Sequence, residues 1–354
     1  MEGKFKIVLS WSASNHEVKE YQAVVSDHCK IINPQSRTMP DLVAAAAQAD
    51  AIIGAYIPQE MIEAAAGLKM VQILHAGVAT AFPGDIELGF KTESLARRGI
   101  VMGNIHGNSL AVAEHAMAFI LALAKQLEPA NRALSQGDWL PVTDEYKSYV
   151  LADSTLGIVG LGSIGAKVAK FAKAFDMRVI GCARNPRSEG LTDLNLDFVG
   201  TPEDLPKILS EADFVLLTVP LTTETYNLIG ERELKIMKPD AYLINLARSH
   251  LIDEKALHRA LTEKWIRGFA SDVWWFYSCA SSMSVSEPWF NFGFHCPVPS
   301  RLGINRMPNV IGTGDRAAFT RGVAESFIHD GLRNLDAFAR HGEPLYRVNI
   351  ELGY

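Results

Sequence analysis

One stretch constrains this chain more than any other: the apolar run Leu156 to Val159, then Gly160-Leu161-Gly162-Ser163-Ile164-Gly165, then a helical pattern from Ala166 to Phe175. Three glycines at this spacing, between a strand and a helix, suit a turn that brings backbone against a pyrophosphate. Gly160 permits the tight turn, Gly162 lets backbone approach the ligand, and Gly165 lets the helix pack close to the strand. The helix N-terminus at Ser163 and Ile164 offers unpaired N–H groups and a positive dipole end to phosphate oxygens. A glycine-rich turn without a ligand is the alternative reading.

Short Val- and Ile-rich runs alternate with longer helical patterns along most of the chain, the mark of parallel βαβ units. Strands are expected at Lys6–Ser10, Ala23–Val25, Ala51–Gly54 and Met70–Leu74, with helices at Leu42–Ala49 and Gln59–Ala66. A long apolar helix is expected over Leu110–Leu127, an irregular arm over Gln136–Val150, and a second α/β region from Thr155. Its later strands are expected at Arg178–Gly181, Phe214–Val219, Tyr242–Asn245 and Phe269–Val273, and a final helix over Ala317–Phe338. Residues Trp275–Asn305 lack either period, and a loop of that length is functional or an insertion. At 354 residues the chain has room for two domains. The fold class is therefore α/β, two doubly wound Rossmann- or flavodoxin-like domains with parallel sheets.

Composition narrows the partners. A net charge of −6 without a Lys/Arg block gives no footprint for nucleic acid or an anionic membrane, and no apolar run approaches a membrane span. A small-molecule partner is expected. Cys29, Cys182, Cys279 and Cys296 are scattered without metal-ligand spacing, which suits free thiols in the cytoplasm, with no bound metal.

The strand after the glycine loop ends in Cys182-Ala183-Arg184-Asn185-Pro186-Arg187. An acidic side chain at Ala183 would accept the ribose hydroxyls of NAD(H). With none there, and Arg184 and Arg187 adjacent, a 2′-phosphate finds charge-assisted partners. NADP(H) is favoured and NAD(H) remains open, as does the reading of both arginines as solvated surface residues.

Several ordered segments carry a resemblance: Leu74-His75-Ala76-Gly77-Val78, Ala111-Val112-Ala113-Glu114-His115, the glycine loop, Val219-Pro220-Leu221-Thr222 with Thr225, Asn245-Leu246-Ala247-Arg248, and Ser271-Asp272-Val273. On these the chain resembles the D-isomer-specific 2-hydroxyacid dehydrogenases. The resemblance implies a cofactor domain, 105–316, inserted into a substrate domain made of 1–104 and 317–354, with the active site in the cleft and a homodimer formed through the cofactor domain. It implies that Arg248 binds and polarises a 2-oxo acid, that backbone at Ala76, Gly77 and Val78 holds the substrate carboxylate, and that Asp272 meets the nicotinamide carboxamide. Val219, Pro220, Thr225, Leu246 and Ala247 would flank the cofactor.

The chain departs from the family at the proton relay. Asn309 to Ala317 matches the stretch that carries the family's catalytic histidine, and Asp315 stands in its place. The family's glutamate falls near Tyr277, or at Glu287 if an insertion displaced it. Asp315, His295 and His250 are the candidate proton donors, each open to a purely structural reading; His106 and His115 read as structural. Trp274, Trp275, Phe276 and Tyr277 either line an apolar pocket or pack as interface residues. Two functions follow: a 2-oxo acid reductase with a non-standard proton donor, or a nucleotide-binding sensor or scaffold without turnover.

Overall fold

The computed structural model describes residues 3–78, 88–141, 143, 146–187, 190–276 and 298–352. The expectations placed on Tyr277, Glu287 and His295 lie outside the described residues.

The chain divides into two compact units, Met1–Asn108 with Arg321–Tyr354, and Ser109–Tyr277 with Cys296–Thr320. The first holds β1 (Phe5–Leu9), β2 (Cys29–Ile32), β3 (Ala51–Gly54), β4 (Met70–Ile73) and β5 (Val101–Gly103). They form a parallel sheet in the order β2-β1-β3-β4-β5. The second holds β6 (Thr155–Val159), β7 (Arg178–Cys182), β8 (Phe198–Gly200), β9 (Phe214–Leu217), β10 (Tyr242–Asn245), β11 (Gly268–Ser271) and β12 (Val310–Gly312). Their order is β12-β11-β10-β9-β6-β7-β8, again all parallel. Both orders are doubly wound, with the direction of winding reversing beside β1 and β6. Strands β3, β4, β6, β9, β10 and β11 are buried throughout, as expected where helices cover both faces.

Local expectations fail at three places, each for a physical reason. Ala23–Val25 is not a strand but the end of the helix Asn15–Val24. Ser14 caps that helix by accepting from Glu17 N–H, while Glu17 Oε2 accepts from Ser14 N–H at 2.7 Å, and the strand forms later, at β2. The long apolar helix runs only over Ser109–Ala124. Gln126 turns left-handed (φ 53°), donates its amide to Leu123 O and Tyr242 Oη, and a second helix follows at Leu127–Ser135. The last helix spans Val323–His341 rather than starting at Ala317, whose N–H is already bound to the Asp272 carboxylate at 2.8 Å.

The first unit is tied together by buried amides. Asn334, fully buried on the last helix, donates to Gln72 Oε1 (2.7 Å) and Tyr346 O (2.9 Å) and accepts from Tyr346 N–H (2.9 Å). Gln72 donates to Asn104 O and Ile73 O, and Asn104 donates to Ala76 O at 2.9 Å. The network thus runs from the last helix to the Ala76–Val78 loop. Replacing Asn334 by Leu strands the buried Gln72 Oε1 and two backbone groups of the half-buried Tyr346, at about 1–3 kcal/mol for a fully buried group and less for the others. Urea unfolding of Asn334→Leu is expected to show a loss of about 3 kcal/mol or more, and a loss below about 1 kcal/mol would contradict the network.

Candidate functional site

Strand β6 enters the glycine loop at Gly160, whose φ of 107° is closed to ordinary residues. A Cβ on Gly160 would lie 2.8 Å from the backbone N of Val219, and one on Gly165 only 2.1 Å from Gly160 O. Both glycines are demanded by the protein's own packing. Gly162 is different: it caps the helix Ser163–Ala174, and a Cβ there would meet nothing within 4 Å. The space over Gly162 and the first helical N–H groups is open, as a dinucleotide pyrophosphate requires, so the residues present fit that group. Thr218, after β9, closes the turn by donating to Gly160 O at 2.6 Å and places Val219-Pro220 beside it. Thr225 Oγ1 donates to Pro220 O at 2.7 Å and accepts from Thr222 N–H, which fixes the loop.

At the end of β7, Ala183 N–H pairs with Gly200 O, and Arg184, Asn185 and Arg187 are exposed. No carboxylate occupies the Ala183 position, although Glu224 exerts its charge on Arg184.

The chemistry-bearing cluster lies after β10, β11 and β12. Asn245, fully buried, uses its side chain as a clamp: Oδ1 accepts from Ala247 N–H (3.0 Å) and Nδ2 donates to Arg248 O (2.8 Å). Leu246 and Ala247 are therefore held in a short turn that presents Arg248, half-buried, at the carboxyl edge of the sheet. After β11 comes Asp272, 3 % exposed. Its Oδ1 accepts from Thr313 Oγ1 (2.5 Å) and Arg316 N–H (2.8 Å), and its Oδ2 from Ala317 N–H (2.8 Å). Its backbone O accepts from Asp315 N–H at 2.9 Å. The whole segment 313–317 is thus folded around one carboxylate, and Asp315 sits in it left-handed, at φ 52°. Asp315 reaches solvent yet is crowded by protein, and that crowding raises its pKa; the Asp272 charge adds to the rise and Arg248 opposes it.

His115, read from the sequence as structural within its helix, belongs to the same constellation. Its Nε2 lies 3.0 Å from Thr313 Oγ1. Because the Thr313 hydroxyl gives its proton to Asp272, His115 must donate from Nε2. Burial lowers the His115 pKa, against the pull of Asp272. No sequence pattern singles out His115 or Thr313; the available hint is that Glu114 and His115 are polar within an otherwise apolar run.

Other expected residues fall elsewhere. His250 stacks on Tyr226 with ring centroids 6.0 Å apart. Trp274 and Trp275 are buried, donating to Thr313 O (2.7 Å) and Ile252 O (3.3 Å), so these two pack in the interior. His106 packs edge-on against Tyr346 at 4.7 Å. In the first unit, Ile105 N–H donates to His75 O and Asn104 holds Ala76 O, while the N–H groups of Ala76, Gly77 and Val78 have no acceptor among the described residues. Among the described residues there is no cluster of metal-ligating side chains, and no single helix is long and apolar enough to cross a membrane.

Known proteins share this sequence pattern and this fold. Residues 117–314 match the family profile described as "D-isomer specific 2-hydroxyacid dehydrogenase, NAD binding domain". The glyoxylate reductase of Thermococcus litoralis is 32 % identical over 304 residues, 84 % of this chain and 81 % of that protein. That of Thermococcus kodakarensis is 30 % identical over 341 residues, 93 % of this chain and 92 % of that one. An acyclic imino acid reductase solved with NADPH and D-Arg shares the fold, with a TM-score of 0.67 at 23 % identity over 97 % of this chain and 99 % of that one.

The two kinds of glycine separate in experiment. Gly165→Ala is expected to lower stability by about 1–3 kcal/mol through overpacking. Gly162→Ala should leave the melting temperature unchanged and weaken dinucleotide binding about tenfold or more, read by quenching of tryptophan fluorescence. Equal binding by Gly162→Ala and wild type would contradict the site.

Proposed function

The chain belongs to the D-isomer-specific 2-hydroxyacid dehydrogenase family, and from that premise we propose that it reduces 2-oxo acids with NADPH, using Arg248 to hold the substrate and Asp315 in place of the family's histidine. The observation that carries the reading is convergence at one edge: the glycine loop, Val219-Pro220, Arg248, Asp272 and Asp315 all follow the carboxyl ends of parallel strands of one sheet.

Bound at the glycine loop, the reduced nicotinamide supplies a hydride to the carbonyl carbon. The Arg248 guanidinium suits two parallel hydrogen bonds to a carboxylate and draws electron density from a neighbouring carbonyl. Asp272, with three acceptor bonds already made to its own chain, orients the 313–317 segment and retains one lone pair on Oδ2 for a carboxamide. Asp315 gives a proton to the developing alkoxide when its carboxyl is in the acid form. Crowding and Asp272 move its pKa in that direction. Turnover of a 2-oxo acid therefore falls as pH rises through the Asp315 pKa, because the acid form is lost.

The absence of an acid at Ala183 and the exposed Arg184 and Arg187 support NADP(H) over NAD(H). The helix Leu127–Ser135 has no buried residue, and Leu134 and Trp139 are 60 % and 87 % exposed, which supports a homodimer through this face. Sedimentation would read it as two copies.

The test is NADPH oxidation at 340 nm across a panel of 2-oxo acids. Arg248→Ala should lower kcat/KM about 100- to 1000-fold through loss of a paired charge. Arg184→Ala with Arg187→Ala should raise the KM for NADPH about tenfold or more and leave NADH little changed. Turnover independent of Arg248 would overturn the assignment.

A further inference from the structure

We propose that His115 is a positioning residue for the cofactor: acting through the Thr313 hydroxyl, it fixes the Asp272 carboxylate so that the acceptor position left on it is kept in place for the nicotinamide carboxamide. This rests on the reductase reading above and adds to that site a residue it does not yet include.

The two oxygens of Asp272 offer about four acceptor positions. Thr313 Oγ1 (2.5 Å) and Arg316 N–H (2.8 Å) fill those on Oδ1, and Ala317 N–H (2.8 Å) fills one on Oδ2, so among the described residues the open position is on Oδ2. A carboxylate turns about its last bond between broad minima, and its plane is set by the donors around it. Arg316 and Ala317 donate from backbone, which has no rotor. Thr313 donates from a hydroxyl, whose proton turns to whichever acceptor suits it. The rest of Thr313 is locked. Its N–H donates to Ser271 O (3.0 Å), its carbonyl accepts from the Trp274 indole (2.7 Å), and Gly312 before it lies so close to Trp274 that a Cβ there would come within 2.5 Å of the ring. The hydroxyl torsion is therefore the loose joint between the 313–317 segment and Asp272.

His115 closes that joint. Its Nε2 lies 3.0 Å from Thr313 Oγ1 and donates into the oxygen's lone pair, which leaves the hydroxyl proton directed at Asp272 Oδ1. Without that bond the hydroxyl is free to turn to water, the carboxylate swings on two backbone N–H groups, and the open position on Oδ2 moves with it. The ring is itself held. It is half-buried on the helix Ser109–Ala124 and set edge-on against Phe119 one turn later, with centroids 4.6 Å apart. Through Val112 and Ala116 the same helix shares a core with Val168, Ala169 and Ala172 of the glycine-loop helix. The carboxamide anchor and the pyrophosphate turn are thus referred to one rigid element. A carboxamide brings an N–H donor to the open position on Oδ2. A cofactor with an acetyl group in its place brings none and gains nothing from where that lone pair lies.

The experiment measures the dissociation constants of NADPH and of its reduced 3-acetylpyridine analogue, in which methyl replaces the carboxamide NH2, by quenching of tryptophan fluorescence in the intact protein. The wild type is expected to bind NADPH about tenfold more tightly than the analogue. His115→Ala is expected to cut that preference to about twofold or less by weakening NADPH alone. Thr313→Val, which keeps the side chain's shape and serves if His115→Ala does not fold, is expected to do the same. The double variant adds nothing beyond either single one, and His115→Gln, whose amide N–H reaches the same hydroxyl, restores the preference. Equal weakening of both nucleotides by His115→Ala, or a preference kept intact, would mean that His115 only fastens its helix to the 313–317 segment; either result overturns this proposal and leaves the reductase standing. A wild type that does not discriminate between the two nucleotides overturns it as well. Binding of neither nucleotide would overturn both.

Discussion

The second unit is organised around a single buried carboxylate. Asp272 follows the fully buried strand β11 and is itself almost wholly removed from water. A charge in that position is tolerable only with close donors, and the chain provides three from a segment about 40 residues further on: the Thr313 hydroxyl and the N–H groups of Arg316 and Ala317. The energetic demand of one ionised group thus dictates the path of 313–317. It delays the last helix until Val323, places Asp315 in a left-handed conformation, and draws His115 into contact through Thr313. The proposed proton donor is oriented here by the solvation requirement of its neighbour.

The glycine loop and the amide network of the first unit work by other physics. In the loop, sterics decide: Gly160 and Gly165 exist because strand, turn and helix would otherwise collide, and Gly162 exists where the protein itself leaves room. In the first unit, satisfaction of buried amides decides. Gln72, Asn104 and Asn334 join strand, loop and last helix, so the Ala76–Val78 backbone is held by groups that cannot be left unpaired at low cost. Three different constraints therefore position three parts of the chain.

Much of this was legible in the residues alone, where the signal was local. The strand–glycine–helix succession, the Tyr242–Asn245 strand and the α/β class all depend on patterns within a dozen residues. Where a local signal was overridden, a second local signal had been missed: the Ser14 and Glu17 capping box turns Ala23–Val25 into helix, and Gln126 interrupts an otherwise uniform apolar run. Strands β5, β8 and β12 are three residues long, too short to show a period. The His115–Thr313–Asp272 chain joins residues about 40 and 200 positions apart, and no spacing in the sequence reveals it. The apolar look of Trp274 and Trp275 left pocket and packing equally open, and only their burial and satisfied indole N–H groups decide for packing.

Whether the Asp272 carboxylate shapes the proposed reacting centre by folding 313–317 around itself is read from Asp272→Asn, which keeps the shape and exchanges an acceptor for an amide donor facing other donors. The measurement is kcat/KM for the best 2-oxo acid beside NADPH affinity and circular dichroism. The account predicts a fall of about 100-fold or more in kcat/KM, from the loss of charge-assisted bonds, with the α/β spectrum kept and NADPH binding changed only a few-fold. Turnover equal to the wild type would contradict it.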